Sequence, residues 1–257
     1  TTQEIKKYKS NFPYIKIELI KPQERAGPSK ARNIGIKSCK GKVVIFFDSD
    51  DKLMSGSLEE IRNVFEKTPD LSVYFGKIKR LSGNIYPSDN YHEVSKGDYV
   101  DYIKTFPKQG EVLPVVRRSE LLSKGNGFHE QFWHNENLLY LRILKNGGNF
   151  LRGKNPVRLY DDISLDRLCE VSHTKNKNMR DAYLTEMKDH GFSYFVHSKM
   201  VFLEKLLKII IYNRLIDNRK FYSIQNFISF IICPLPKRLL LKMKSSYTTY
   251  NMKKGRV

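Results

Sequence analysis

Three carboxylates occupy four consecutive positions, Asp48-Ser49-Asp50-Asp51, directly after the apolar run at residues 43–47. Like charges this close repel unless a cation or a donor lies between them. A hard divalent ion is the usual solution. Oxygen-only ligands favour Mn²⁺ or Mg²⁺, which take one or two protein carboxylates and fill other positions with substrate phosphate oxygens. The bland alternative is a polar turn in which Asp48 or Ser49 caps the chain. A second constellation lies upstream, Gly27-Pro28-Ser29-Lys30-Ala31-Arg32-Asn33-Ile34-Gly35. It reads as a turn followed by a helix whose free N–H groups, with Lys30 and Arg32 beside them, suit a phosphate. Read alone it is equally a helix that starts with Gly-Pro-Ser for stereochemical reasons. His134 and His173 are isolated and receive no role.

The elements that must position these groups follow from the periodicity. Up to about residue 160, apolar runs of strand length alternate with amphipathic stretches, the pattern of an α/β sheet with crossover helices. Residues 15–20 alternate as a strand. Ser29 is expected to cap a helix reaching Cys39 or Lys40, with Gly41 ending it. Residues 43–47, β-branched and aromatic without alternation, predict a strand in the sheet interior. The acidic cluster then falls at the carboxyl end of a buried strand, where ligands of open α/β sheets gather. Ser57-Leu58-Glu59-Glu60 predicts a capping box opening a helix to about Lys67. Further elements are a strand at 71–76, an irregular hairpin at 77–87, a short helix at 98–106, a strand at 112–117, a mostly buried helix at 136–145 ended by Gly147-Gly148, and a strand at 157–160. Residues 161–195 read as a linker with some helix at 179–188, and 199–244 as helical, with Met200, Leu203, Leu207, Ile210 and Ile211 on one face.

Composition bounds the partners. The chain has 257 residues, 40% apolar and 28% charged, with 46 Lys+Arg against 27 Asp+Glu for a net charge of +19. That excludes a disordered chain and points to anionic partners: nucleic acid, acidic membrane, phosphate-bearing ligands or acidic glycans. The basicity is concentrated in residues 196–257, with 13 Lys/Arg and 2 Asp/Glu. Cys39, Cys169 and Cys233 have neither disulfide nor zinc spacing, so a reducing cytoplasm is the expected compartment. No apolar run approaches the roughly 20 residues of a membrane span.

Taken together, the Gly27–Gly35 run continuing into Ile36, followed by Gly41-Lys42-Val43-Val44-Ile45-Phe46-Phe47-Asp48-Ser49-Asp50-Asp51, resembles the centre of family 2 glycosyltransferases with the GT-A fold. Gly127-Phe128-His129-Glu130 is similar to that family's Gly-Phe-Asp-Glu turn, and Asn135-Glu136 with the helix after it resembles its acidic-pair helix. The resemblance implies a mixed sheet flanked by helices and an inverting transfer of sugar from a nucleotide diphosphate, with a UDP-sugar as the expected donor. It also implies roles. Asp48 touches the donor ribose and Arg32 lies near the nucleotide. Asp50, with Asp51 beside it, binds the metal at the diphosphate, and Glu136 is the base. Glu136 suits that role if it faces the cleft; otherwise it is a helix-terminal carboxylate stabilised by the macrodipole. His129 and Asn135 depart from the family pattern.

The resemblance further implies a transferase domain at 1–160 lacking the family's first strand–helix–strand unit; the polar, mixed-sign residues 161–195 read as a linker, and 196–257 as a basic amphipathic helical extension. The expected acceptor is a surface glycan or lipid-linked oligosaccharide, at the cytoplasmic face of a membrane. The extension reads either as an interfacial helix pair on an anionic leaflet or as helices packed back on the domain. Competing functions are a noncatalytic remnant, a metal-dependent phosphoesterase and a basic nucleic-acid-binding module. The last ranks low, because no nucleic-acid-binding motif is present and the carboxylates would repel phosphates without a metal.

Overall fold

The structure, a computed structural model, describes residues 2–22, 27–86, 96–105, 111–132, 136–161 and 173–216. Its centre is a mixed seven-stranded sheet built from β1 (Val43–Ile45), β2 (Lys52–Leu53), β3 (Val73–Arg80), β4 (Ile85–Tyr86), β5 (Lys96–Gly97), β6 (Leu113–Arg117) and β7 (Phe150–Tyr160). The order is β1-β6-β3-β7-β2, with β4 on β3 and β5 on β7. Among the described residues only β3 and β7 pair in parallel; the other pairings are antiparallel. The helices are α1 (Thr2–Asn11), α2 (Pro28–Ser38), α3 (Ser57–Lys67), α4 (Tyr99–Thr105), α5 (Arg118–Glu120), α6 (Asn137–Lys145), α7 (His173–His197) and α8 (Lys199–Ile216), with one π-helical stretch at Leu121–Gly125.

The period-2 alternation of strands divides the core between the two faces of the sheet. Val73 and Phe75 of β3, Val116 of β6 and Phe150 of β7 point to the larger cluster, which Ile36, Tyr102, Tyr140, Tyr183 and Phe202 complete from α2, α4, α6, α7 and α8. Tyr74, Leu113, Val115 and Val157 point the other way, onto Ile61 and Phe65 of α3. Two helix ends behave as their residues dictate. Asp98 accepts the N–H groups of Val100 and Asp101 at 2.8 and 3.1 Å, opening α4. At the end of α6, Gly147 takes φ +83° and the Gly148 N–H reaches the Ile143 carbonyl.

Several expectations are corrected. Residues 15–20 are not a strand: none of the described residues pairs with them, and alternation alone does not make a strand. β1 is three residues long and lies at the sheet edge, paired only with β6 among the described residues, and Phe47 beyond it is 40% exposed. Neither expected serine cap forms. Ser29 Oγ donates to the Phe132 carbonyl, and Ser57 Oγ to the Val157 carbonyl, each tying a helix start to distant chain. Gly27 and Gly56 hold the N-cap positions instead.

The described part of the expected linker, residues 173–195, is helix, and α7 buries Ala182, Tyr183, Met187 and Tyr194. The buried side of α8 is Val201, Phe202, Lys205, Leu206 and Ile209, whereas Met200, assigned to the apolar face, is 77% exposed. Residues 217–257, holding the rest of the expected extension with Cys233, lie outside the described residues, as do Cys169, His134 and Asn135 and the side chain of His173.

Candidate active site

Arg32 organises the site. It projects from α2 and is mostly buried, its side chain 18% exposed. One guanidinium nitrogen donates to Asp48 Oδ1 at 2.9 Å, and the other pairs with Glu136 Oε1. Its carbon lies 5.6 Å from the Phe128 ring centroid, a cation–π distance. Burial alone would lower the pKa of this guanidinium, but Glu136 and Asp48 outweigh it and the pKa is raised. Glu136 stands at the N-cap of α6, its carbonyl accepting the Leu139 N–H, and its carboxylate faces the cleft. The condition attached to it in the sequence is met.

Two turns keep these groups in register. Asn33, next to Arg32, donates to the Phe128 carbonyl at 2.9 Å and accepts the Phe128 N–H at 2.7 Å. Gly127 precedes that contact at φ +72°, and a Cβ there would fall 2.6 Å from Asn33 Oδ1. Only glycine allows so close an approach. Ser29 fastens the same turn at Phe132. The Gly-Phe-His-Glu turn is thereby locked against α2, and His129 is half-buried, its pKa lowered by burial and by Arg142.

The acidic run is unequal in environment. Asp48 and Asp50 are exposed and Asp51 is buried, yet one carboxylate oxygen from each lies within 4.8 Å of the others. Asp51 Oδ2 sits 3.2 Å from Arg158 Nη1 of β7, with the two side chains 1% and 6% exposed. The contact is electrostatic rather than a directed hydrogen bond, and both Asp51 carboxylate oxygens are buried without a hydrogen-bond donor. Burial pushes the Asp51 carboxyl up to about 6, Arg158 opposes the shift, and Asp50 and Asp48 add to it. Buried oxygens lacking donors beside two exposed carboxylates fit a hard cation.

The sequence reading missed three groups here. Arg158 reaches Glu111 at 3.7 Å as well as Asp51, and packs over the Tyr160 ring. The Glu111 carboxyl, at the cleft mouth, is raised in pKa by desolvation against the pull of Arg158. Tyr140, buried, has its phenol raised well above its ordinary range by burial and by Glu136. The cleft that Arg32, Asp48, Glu111, Glu136, Tyr140 and Arg158 share encloses about 150 Å³. Tyr140 lay in a helix read as core, and Arg158 in a strand beside the carboxylates. An arginine within an apolar strand was the available signal, and it does not name the partner.

Known proteins resemble this chain in sequence and in fold. Residues 1–119 match the family Glycosyl transferase family 2. Over those residues the chain is similar to that family, and its fold is GT-A. It is 32% identical over 173 residues to a Campylobacter jejuni GalNAc(5)-diNAcBac-PP-undecaprenol beta-1,3-glucosyltransferase, covering 62% of this chain and 50% of that protein. It is 30% identical over 98 residues to a Bacillus spizizenii poly(ribitol-phosphate) beta-glucosyltransferase, covering 38% of this chain and 15% of that one. The chain thus spans half the length, or less, of these relatives. Among solved structures, the Pyrobaculum calidifontis mannosyltransferase PcManGT, in complex with GDP-Man and Mn²⁺, superposes with TM-score 0.57 at 14% identity, over 99% of this chain and 69% of that one. Residues 1–349 of S. aureus TarS, in complex with UDP-GlcNAc, give 0.54 at 16%, over 87% and 63%.

Proposed function

We propose that this protein is an inverting glycosyltransferase moving a sugar from a nucleotide-diphosphate donor, a UDP-sugar, to a hydroxyl of a surface glycan or lipid-linked oligosaccharide. The observation that carries the reading is Arg32 held between Asp48 and Glu136 in one cleft, with the acidic cluster alongside. One wall offers carboxylates suited to a nucleotide diphosphate and its cation, and the other a carboxylate suited to an acceptor.

In this reading the acceptor oxygen attacks the anomeric carbon from the face opposite the diphosphate. The new C–O bond forms as the old one breaks, the leaving diphosphate takes the electron pair, and the configuration inverts. Glu136 takes the hydroxyl proton during the attack. Arg32 pairs with Glu136, and the carboxylate becomes a competent base as the guanidinium turns to the negative donor. Asp48 keeps Arg32 on the donor side, where it would meet the ribose. Asp50 and Asp51 would hold Mn²⁺ or Mg²⁺, which supplies positive charge against the departing diphosphate.

The two relatives are named for a diphosphate-linked undecaprenol and a poly(ribitol phosphate). A phosphate-bearing acceptor of that class suits a chain of net charge +19. It also suits a protein working peripherally at the cytoplasmic face of a membrane. No helix among the described residues is long and apolar enough to cross one.

Calorimetric titration with UDP, with and without Mn²⁺, tests the reading. The wild type is expected to bind UDP only with the metal, and Asp50→Ala to lose that binding. Glu136→Gln should bind as wild type but release UDP from UDP-glucose at least about 100-fold more slowly in the presence of acceptor. A folded wild-type chain that ignores UDP and Mn²⁺ together would overturn the proposal.

A further inference from the structure

α7 and α8 are joined through Ser198 alone and run back along each other, as Arg180 with Asn213, Tyr183 with Tyr212, Glu186 with Lys205 and Phe195 with Phe202 show. One side of α7, with Tyr183, Glu186, His190 and Tyr194, is buried in the domain. A second side is also apolar, so the helix lacks the single polar face that a surface helix packed on one side presents. Leu184, Met187, Gly191, Phe192, Phe195 and Phe202 line a groove of about 570 Å³ there, with Lys188 at its rim. At the corner the apolar groups stand in water. Phe192 is 83% exposed, Met200 77%, Val196 52% and Phe195 48%.

We infer that this corner is the membrane-docking surface of the protein, and that its partner is an anionic bilayer. Phe192, Phe195 and Val196 lie at i, i+3 and i+4 on α7, so with Met200 they form one tip that can enter the acyl boundary together. Exposed Lys188 and Lys199 flank it at headgroup level. Charge argues against the other occupants. A two-fold contact with a second copy would bring these lysines against their own images. Residues 217–257, with 9 Lys/Arg and one Asp, would set positive charge on positive.

This placement rests on the membrane reading given under the proposed function and moves its contact. The apolar side expected of α8 is only partly covered, the neighbouring side with Val201, Phe202, Leu206 and Ile209 being the one buried in the domain, and the most exposed apolar groups of α7 and α8, Phe192 and Met200, stand at the corner. Lys145, in the last turn of α6, donates to the Asp189 carbonyl on α7 close to the corner, whereas Glu136 stands at the opposite end of α6. The nine residues of α6 separate the two by about 14 Å. A corner seated in the bilayer then leaves the cleft above the surface, where the sugars of a lipid-linked acceptor would stand.

The test is sedimentation of the full chain with vesicles of phosphatidylglycerol and phosphatidylethanolamine, and with neutral phosphatidylcholine vesicles. Wild type should partition to the anionic vesicles. Phe192→Ser with Met200→Ser should lower that partition at least about tenfold. Lys188→Gln with Lys199→Gln should lower it about fivefold per lysine on anionic vesicles and leave neutral ones unchanged. All four side chains are exposed, so melting temperatures should match wild type, which separates lost docking from lost fold. If wild type binds and both double variants bind equally, the corner assignment is wrong while peripheral attachment stands. A wild type that ignores every vesicle overturns both, leaving the donor-site reading to the UDP titration. If wild type is a dimer that Phe192→Ser with Met200→Ser dissolves, the corner is an interface between copies and the bilayer assignment falls.

Discussion

The site is built by two arginines, each held between two carboxylates. Arg32 joins Asp48 to Glu136 on the open side of the cleft, and Arg158 joins Asp51, buried on its floor, to Glu111 at its mouth. They differ in solvent. Asp48 and Glu136 are about half exposed, so Arg32 can exchange partners when a ligand arrives; Asp51 and Arg158 are closed off and can not do so freely. Arg158→Met should therefore act first on stability, because it leaves the Asp51 charge buried with no cation. A loss of about 3 kcal/mol is expected, read as the urea midpoint without metal, and Asp51→Leu in the same chain should recover most of it. An unchanged midpoint in the single variant would mean that Asp51 is already neutral or solvated. At this scale the sequence was informative where residues sit in a motif. Arg32, Asp48, Asp50 and Glu136 could be named from their neighbours. Arg158 and Glu111 could not, since they lie 47 residues apart, and Arg158 lies 107 from Asp51, and no local spacing records a contact made through the sheet.

Among elements, most helices and internal strands were legible because amphipathic periodicity is a local property, as in α3, α4, α6 and β6. The failures share a cause. The alternation at 15–20 and the apolar run at 43–47 both state a capacity to pair, and pairing depends on which chain lies alongside. Serine hydroxyls at 29 and 57 were drawn from their own helices by carbonyls roughly 100 residues away. The extent of α7 was hidden because its buried side mixes Tyr183 with Glu186, His190 and Tyr194, which read as polar until their partners are known. Glu186 pairs with Lys205 at 2.9 Å and accepts from Tyr194 Oη at 2.6 Å, and the Tyr99 hydroxyl bonds to His190 Nδ1 at 2.6 Å.

That packing has a pH signature. Burial lowers the His190 pKa to about 4; Lys145 and, less strongly, Arg142 reinforce the shift, while Glu186 and Asp189 oppose it. In the unfolded chain the imidazole takes a proton near pH 6.5. Between the two values the unfolded state binds more protons, so stability is fully present above about pH 6.5 and is lost as pH falls through about 4. The loss is of order 3 kcal/mol. His190→Gln keeps a hydrogen-bonding group without the titration, and its urea midpoint should fall less than that of wild type from pH 7 to pH 4. Parallel curves would show that α7 opens before His190 is protonated.

At the scale of the whole molecule the charge and the cleft pull in different directions. The cleft is lined by carboxylates and would repel an anionic substrate in the absence of a metal, whereas the chain as a whole carries +19, with 13 of its 46 Lys/Arg in the last 62 residues. Within the proposed function these two charges serve two substrates: the donor is fixed over short distances in the cleft, and a phosphate-bearing acceptor is gathered over long distances by the field. Salt separates them, because exposed charges are screened beyond about 10 Å at 0.1 M while close, partly buried pairs are screened much less. Raising NaCl from about 50 to about 300 mM should therefore increase KM for a diphosphate-linked acceptor about tenfold, and leave the Mn²⁺-dependent Kd for UDP within about twofold. An acceptor with the same sugars and no phosphate should show no such rise. If its KM climbs as steeply, the positive field is not gathering the acceptor, and the basic segment acts instead on the leaflet itself, where the vesicle measurements would detect it.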